Sequence, residues 1–257
     1  MPPDLTHLAL EVLSGALVGF TLGLIGGGGS ILAVPLMVYV VGVGNPHVAI
    51  GTSALAVAVN ALAGLAQHAR ARTVKWRCAA IFATFGVVGA FGGATLGKAM
   101  DGRRLLLCFA LLMIVVGVLM LLGRRNQGCE GAACNRENMS RVMTYGLGTG
   151  ALSGFFGIGG GFLIVPALIA STRMPILNAI GTSLVAVAAF GASTALSYMV
   201  SGLIDWNLAV LFIVGGVVGS FGGMRAARAL AGTTGGLTIF LSGVIFCVAT
   251  YMIWRSF

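Results

Sequence analysis

The chain has 257 residues, of which 58% are hydrophobic and 8% are charged, and its mean hydropathy is +1.03. A soluble domain carries about 25% charged residues, so this composition excludes a water-soluble protein and leaves room for several membrane spans of about 20 residues each. The net charge of +9 comes from basic residues in short loops between apolar segments. That pattern sets membrane topology and disfavours nucleic-acid binding.

Ten apolar segments, five in each half of the chain, are predicted to be helices. In the first half they run at about 8–25, 31–43, 47–68, 78–98 and 104–122. In the second half they run at about 142–156, 162–172, 176–200, 207–224 and 236–254. The sequence therefore predicts an all-α integral membrane protein. Glycine recurs every four residues in several segments, as at Gly89, Gly93 and Gly97, which predicts smooth helix faces that approach each other closely.

The two halves match each other in sequence. Gly19–Leu36 reads GFTLGLIGGGGSILAVPL, and Gly150–Ala167 reads GALSGFFGIGGGFLIVPA at an offset of 131. After one deletion the offset is 130, and Ala49–Ser53 then matches Ala179–Ser183. Such a long register indicates a duplication.

An odd number of segments in each half predicts that the second half enters the membrane from the opposite side, an arrangement typical of transporters. The predicted domains are a first membrane repeat at 1–123, a cytoplasmic linker at 124–141 and a second, inverted membrane repeat at 142–257. This topology puts eleven of the fifteen Lys and Arg residues on the side of the loop Arg70–Arg77. By the positive-inside rule that side is cytoplasmic and both termini are extracytoplasmic.

Two glycine-rich turns, at corresponding positions of the halves, are the first candidate substrate site. The first turn comprises Gly26, Gly27, Gly28, Gly29 and Ser30, and the second is predicted to bind through Gly157, Gly159, Gly160 and Gly161. Each is followed by a short apolar segment containing Pro35 or Pro166, which predicts broken or re-entrant hairpins that meet near the midplane. Free backbone N–H groups there would bind an anion. The alternative is that the glycines only make tight turns where helices cross.

Polar side chains inside the predicted helices are the second candidate. The sequence Gly-Thr-Ser places Thr52 and Ser53 in the first half and Thr182 and Ser183 in the second. Hydroxyls can replace part of an oxyanion's hydration shell, but they also bond back to the preceding turn of their own helix. Asn60 lies at mid-helix, where it either touches substrate or packs against another helix. No carboxylate is evident in a span, which disfavours a cation carrier.

The five cysteines do not indicate a metal or redox site. Cys78, Cys108 and Cys247 lie in apolar segments but have no cysteine at the matching position of the other half. Cys129 and Cys134 share the linker, which offers two ligands where structural zinc sites use four. Motifs of the form HExxH or GxSxG are absent from the sequence, so neither an enzyme nor a cofactor is expected.

The doubled motif resembles the TauE/SafE family of sulfite exporters, also called the 4-toluene sulfonate uptake permease family. Its two copies are Gly19–Pro35 with Ala49–Ser53, and Gly150–Pro166 with Ala179–Ser183. The resemblance covers essentially the whole chain. It implies a transporter of sulfite, sulfonates or other small sulfur-containing anions in a bacterial-type cytoplasmic membrane.

The resulting hypothesis is an exporter that works by alternating access around a midplane anion site. Its partners are the anion and the lipid bilayer, and glycine stripes facing lipid would permit a homodimer. An anion channel and, less in keeping with the sequence, a membrane thiol-redox or metal-handling protein are the alternatives. The sequence leaves the exact substrate, the direction and the coupling ion open.

Overall fold

The computed structural model describes residues 5–25, 30–122, 134, 136–157, 161–229, 243, 246–252 and 254. Within these ranges the secondary structure is helical and contains no strand. The helices are α1 Leu5–Ile25, α2 Ser30–Val40, α3 Pro46–Arg70, α4 Trp76–Ala99, α5 Gly102–Leu122, α6 Arg136–Phe156, α7 Gly161–Thr172, α8 Ile176–Val200 and α9 Trp206–Ala229.

Five of the described helices are long and apolar enough to cross a membrane. These spans are His7–Leu24, Pro46–Arg70, Trp76–Ala99, Asn178–Val200 and Trp206–Ala226. The prediction of an all-helical membrane protein is thereby confirmed. The first nine predicted segments correspond to α1 to α9, although α6 begins at Arg136, inside the predicted linker 124–141. Most of the tenth segment, at 236–254, lies outside the described residues.

The two short helices follow the glycine turns, as the sequence predicts. Helix α7 has 12 residues with Pro166 inside it, so it is about 18 Å long. Helix α2 runs from an α-helical turn at Ala33–Pro35 into a π-helical segment at Leu36–Val40. By length alone, neither helix reaches across an apolar core about 30 Å thick.

Glycine brings two pairs of helices into backbone contact. In the pair α1 and α9, a Cβ added at Gly19 would meet the carbonyl of Gly216. In the pair α4 and α6, a Cβ added at Gly150 would meet the carbonyl of Gly86, and one at Gly154 that of Ala90. Because residue numbers rise together along both members, α4 and α6 are parallel. The predicted smooth glycine faces are therefore used for close helix packing.

Helices α3 and α8 form a central antiparallel pair. Gly51, near the start of α3, lies against Tyr198, near the end of α8, and Gly64 lies against Leu184. Both helices have 25 residues, and α4 and α9 both have 24. The antiparallel pair holds most of the polar side chains that the sequence singles out.

A disulfide joins Cys78, in the first turn of α4, to Cys134, which lies just before α6. It links the adjacent ends of two parallel helices, across 56 residues of sequence. In sequence Cys134 is close to Cys129 in the linker, but the packing of α4 against α6 makes Cys78 its partner. Cys129 lies outside the described residues.

Candidate anion site

Thr52 and Thr182 each accept a hydrogen bond from the loop that precedes a helix of the other half. The Asp205 backbone N–H donates to Thr52 Oγ1, and the Lys75 backbone N–H donates to Thr182 Oγ1, both at 3.0 Å. Both threonines are fully buried. Each hydroxyl acts as acceptor in this bond, so it keeps its own proton for donation to a further group.

The neighbouring serines donate to their own helices. Ser53 Oγ donates to the Ile50 carbonyl at 3.0 Å, and Ser183 Oγ donates to the Ile180 carbonyl at 2.7 Å. This is the local alternative that the sequence left open. A role of these serines in binding an anion requires the hydroxyl to rotate away from the helix, and it stays a prediction.

The structure does not bring the two Gly-Thr-Ser motifs together. Because α3 and α8 are antiparallel and Gly51 lies beside Tyr198, Thr52 is close to the end of α8. Thr182 lies near the beginning of that helix, about 24 Å away along its axis. The two motifs therefore lie at opposite ends of the central pair.

Gly157, the first residue of the second glycine turn, lies beside the Gly-Thr-Ser motif of the first half. Gly157 ends α6 with φ +65°, a left-handed conformation that favours glycine, and a Cβ there would meet the side chain of Ile50. Gly161 and Ser30, which begin α7 and α2, are buried. The other predicted turn residues lie outside the described ranges: Gly26, Gly27, Gly28, Gly29, Gly159 and Gly160. The expected meeting of the two turns near the midplane is not confirmed.

Asn60 is fully buried, and neither Nδ2 nor Oδ1 has a hydrogen-bond partner. Its amide lies against Gly216 of α9, where an added Cβ would overlap it. At the matching position of the second half, Phe190 packs against Gly86 and stacks on Phe82 with ring centroids 6.1 Å apart. Asn60 therefore packs against another helix. Its amide is also buried without a hydrogen-bond partner, which is rare in folded proteins.

Lys98, which the sequence analysis passed over, is placed next to the central pair. Its Nζ donates to the Ser197 carbonyl and to Ser201 Oγ, both at 3.0 Å, and lies 5.7 Å from the centroid of the Tyr198 ring. The sequence could have indicated this residue, because Lys98 is the only charged residue within the predicted segment 78–98. It provides positive charge at the end of α8.

The buried polar side chains are uncharged throughout the part of the chain that the structure describes. They are Ser and Thr hydroxyls, the phenol of Tyr198 and the amide of Asn60. The described residues also contain no group of three His, Cys, Asp or Glu side chains that could hold a metal ion. Hydroxyl and amide groups can donate hydrogen bonds to an anion without adding a charge to the membrane interior.

A cavity of about 290 Å³ lies apart from these residues, where α6 begins and α7 ends. Arg141 and Arg173 line it together with Asn138 and residues 170–172. Both arginines are exposed. The cavity belongs to the polar end of these helices and contains none of the predicted site residues.

Comparison with known proteins matches a family model and several membrane transporters. The model for "Sulfite exporter TauE/SafE" matches residues 11–252. A "Probable membrane transporter protein" of Xylella fastidiosa is 52% identical over 250 residues, which are 97% of this chain and 96% of that protein. The "Probable membrane transporter protein YdhB" of Bacillus subtilis is 28% identical over 239 residues, 92% of this chain and 97% of its own. No solved structure matches this chain.

Proposed function

Because this chain belongs to the sulfite exporter TauE/SafE family of membrane transporters, we propose that it exports a small sulfur-containing anion, sulfite or an organosulfonate. We infer an anionic substrate from the buried polar groups of the described residues. These groups are hydroxyls and an amide, and none is a carboxylate. A cation carrier needs buried negative charge in its spans. Uncharged donors suit an oxyanion.

The mechanism we propose is alternating access between two inverted halves. Three observations support it: the antiparallel pairing of α3 with α8, their equal lengths, and the reciprocal hydrogen bonds of Thr52 and Thr182. Each of these hydrogen bonds joins the two halves at one end of the central pair. In this mechanism the Thr52 bond closes the extracytoplasmic end and the Thr182 bond closes the cytoplasmic end.

The anion path then runs along the central pair. In this proposal each glycine turn acts together with the Gly-Thr-Ser motif of the other half, and the contact of Gly157 with Ile50 supports this for the second turn. Asn60 lies between the two ends and offers its unpaired amide to the anion. An inside-negative potential drives an anion outwards by about 2.3 kcal/mol per charge per 100 mV, so export requires no buried proton carrier.

Thermal stability of the detergent-purified protein tests the substrate class. We expect sulfite or one sulfonate to raise Tm in a concentration-dependent way, because a ligand that binds only the folded state stabilises it by about 2.7 kcal/mol at 100 times its Kd. The panel is sulfite, sulfate, thiosulfate, taurine, isethionate, sulfoacetate and chloride. If none of these anions changes Tm, the proposed function is wrong.

Asn60→Leu, measured by the same thermal assay, tests whether the Asn60 amide binds the anion. The substitution replaces the amide with an apolar side chain of the same branching, so we expect the anion-induced rise in Tm to shrink. Phe190→Leu, at the matching position of the other half, is the control and should keep the response. An undiminished response in Asn60→Leu would assign Asn60 to packing alone.

Accessibility of introduced cysteines tests the proposed orientation. In a background with Cys108, Cys129 and Cys247 replaced by serine, Gly44→Cys and Ala71→Cys place one thiol at each end of α3, both at exposed positions. We expect a membrane-impermeant maleimide to label Gly44→Cys in intact cells and to label Ala71→Cys only after lysis. The reverse pattern would put the Arg70–Arg77 loop outside, in an oxidising compartment where the nearby Cys78–Cys134 disulfide would persist.

A further inference from the structure

Three hydroxyl groups without partners lie on one face of α8. Thr194 and Tyr198 are 0% exposed and Ser197 is 4% exposed, and none of the three hydroxyl oxygens has a hydrogen-bond partner. Residues three and four apart on a helix are neighbours on its surface, so the three form one cluster, here called the α8 hydroxyl cluster. None of its members was among the site residues predicted from the sequence.

Buried hydroxyl groups without a hydrogen-bond partner are unusual among the described helices of this chain. Ser and Thr hydroxyls in its helices generally donate to a carbonyl of the preceding turn. Examples with this bond are Thr21, Thr149, Thr172, Ser183 and Ser220. Among the described residues, the Ser and Thr hydroxyls that are buried without any partner are Ser153, Thr194 and Ser197. A buried, unpaired hydroxyl is unfavourable by about 1–3 kcal/mol, so three on one face call for a ligand or a function.

The Tyr198 side chain of the α8 hydroxyl cluster lies between α3 and α4. On one side, Gly51 of α3 lies against the Tyr198 side chain. On the other, Lys98 of α4 donates to the Ser197 carbonyl and lies over the Tyr198 ring. His47 also stacks on that ring at 6.4 Å, and its Nδ1 is buried without a partner. The Lys98 ammonium therefore lies beside the end of the cluster at Tyr198.

We propose that the α8 hydroxyl cluster binds the oxyanion group of the substrate on the extracytoplasmic side of the central pair. This inference rests on the proposed function. Three O–H donors match a group with several acceptor oxygens, such as sulfite or the head of a sulfonate. Hydroxyl oxygens could also coordinate a cation, but the Lys98 ammonium beside them repels one.

The first half has no second copy of this site. The positions that match the three hydroxyl residues are Gly64, Gln67 and His68. Gly64 has no side chain, Gln67 offers a buried Nε2 without a partner in place of a hydroxyl, and His68 Nδ1 is 3.0 Å from Thr73 Oγ1. The oxyanion site is therefore asymmetric, and under the proposed orientation it is the last site that an exported anion occupies before release.

Deleting the hydroxyls one at a time tests the site. Thr194→Val, Ser197→Ala and Tyr198→Phe each remove an oxygen with little change of shape, and phenylalanine keeps the ring under Lys98. We expect each to weaken the affinity for sulfite about tenfold, measured as the concentration dependence of Tm, while Tm without anion is unchanged or higher. Thr194→Ser, which keeps the hydroxyl, should bind as wild type does.

Thr149→Val is the matched control, because its hydroxyl donates to the Tyr145 carbonyl at 2.6 Å in α6; its affinity for sulfite should stay that of wild type. Wild-type affinity in all three hydroxyl deletions would overturn the site and leave the proposed function standing. Wild-type protein that responds to no anion would overturn the proposed function itself. If Tyr198→Phe does not fold, the comparison of Thr194→Val with Thr194→Ser decides alone.

Discussion

Gly19→Leu and Gly150→Leu are each expected to lower Tm by roughly 6–12 °C, and the double variant is expected not to yield a monodisperse protein. A Cβ at Gly19 overlaps the Gly216 carbonyl, and one at Gly150 overlaps the Gly86 carbonyl. Overpacking typically costs 1–3 kcal/mol. Here backbone meets backbone, so the helices themselves must separate, and about 3 kcal/mol corresponds to this fall in Tm for a chain of this size. Thermal unfolding and size-exclusion profiles in detergent measure it.

The control uses two glycines with free space around them, one in each helix of the pair α4 and α6. A Cβ at Gly92 of α4 or at Gly148 of α6 would meet nothing within 4 Å. Gly92→Leu and Gly148→Leu should therefore leave Tm unchanged, or raise it slightly because leucine has the higher helix propensity. An equal loss of stability at packed and unpacked glycines would mean that glycine acts through backbone flexibility and not through close contact.

The helices could be predicted from the sequence because the bilayer dictates their composition and length. The segment expected at about 47–68 is a helix at Pro46–Arg70, and the one expected at about 78–98 is a helix at Trp76–Ala99. The structure adds one to two residues at each end, and Asn45 caps α3 by accepting a hydrogen bond from the His47 N–H. Apolar runs do not mark such ends.

Helix partners could not be predicted, because a glycine stripe indicates close packing without indicating what packs there. The spacing of Gly15, Gly19 and Gly23 in α1 does not indicate that α9 packs against them, although Gly19 and Gly216 are in contact. The same holds for the Cys78–Cys134 pair, 56 residues apart. Each of these contacts depends on how distant segments are arranged, which local patterns do not encode.

The candidate site was predicted by residue type and not by geometry. The hydroxyls of the Gly-Thr-Ser motifs are buried, but the sequence did not indicate the threonine partners, Asp205 and Lys75, which lie in loops of the opposite half. The α8 hydroxyl cluster was missed because Thr194, Ser197 and Tyr198 form no motif in sequence. Their hydroxyls stand out only when their missing hydrogen bonds are compared with the bonds of other Ser and Thr side chains.

Thr52→Val and Thr182→Val together are expected to lower the free energy of unfolding by about 2–6 kcal/mol. Each substitution leaves a part-buried backbone N–H, that of Asp205 or Lys75, without its acceptor, which costs about 1–3 kcal/mol. The two sites share no partner and lie far apart, so the two effects should add. Thr52→Ser and Thr182→Ser keep the acceptor oxygen and should unfold as wild type does. Thermal unfolding of the four single variants and the double variants measures this.

The single variants also test whether the hydrogen bonds of Thr52 and Thr182 only hold a loop in place or also close the ends of the transport path. Loosening one end of the central pair shifts the population towards the state that is open at that end. If the Thr52 bond closes the extracytoplasmic end, Thr52→Val should therefore expose that end. Thr182→Val should make the same end less accessible. Ala54 is fully buried about two turns into α3 from that end. Ala54→Cys, in the background that lacks Cys108, Cys129 and Cys247, therefore reports on the accessibility of this end. We expect external maleimide to label it faster in Thr52→Val and more slowly in Thr182→Val. Equal rates in both, with equal losses in Tm, would make the two hydrogen bonds helix-loop caps, and the closing contacts of the transporter would then have to lie elsewhere along the central pair.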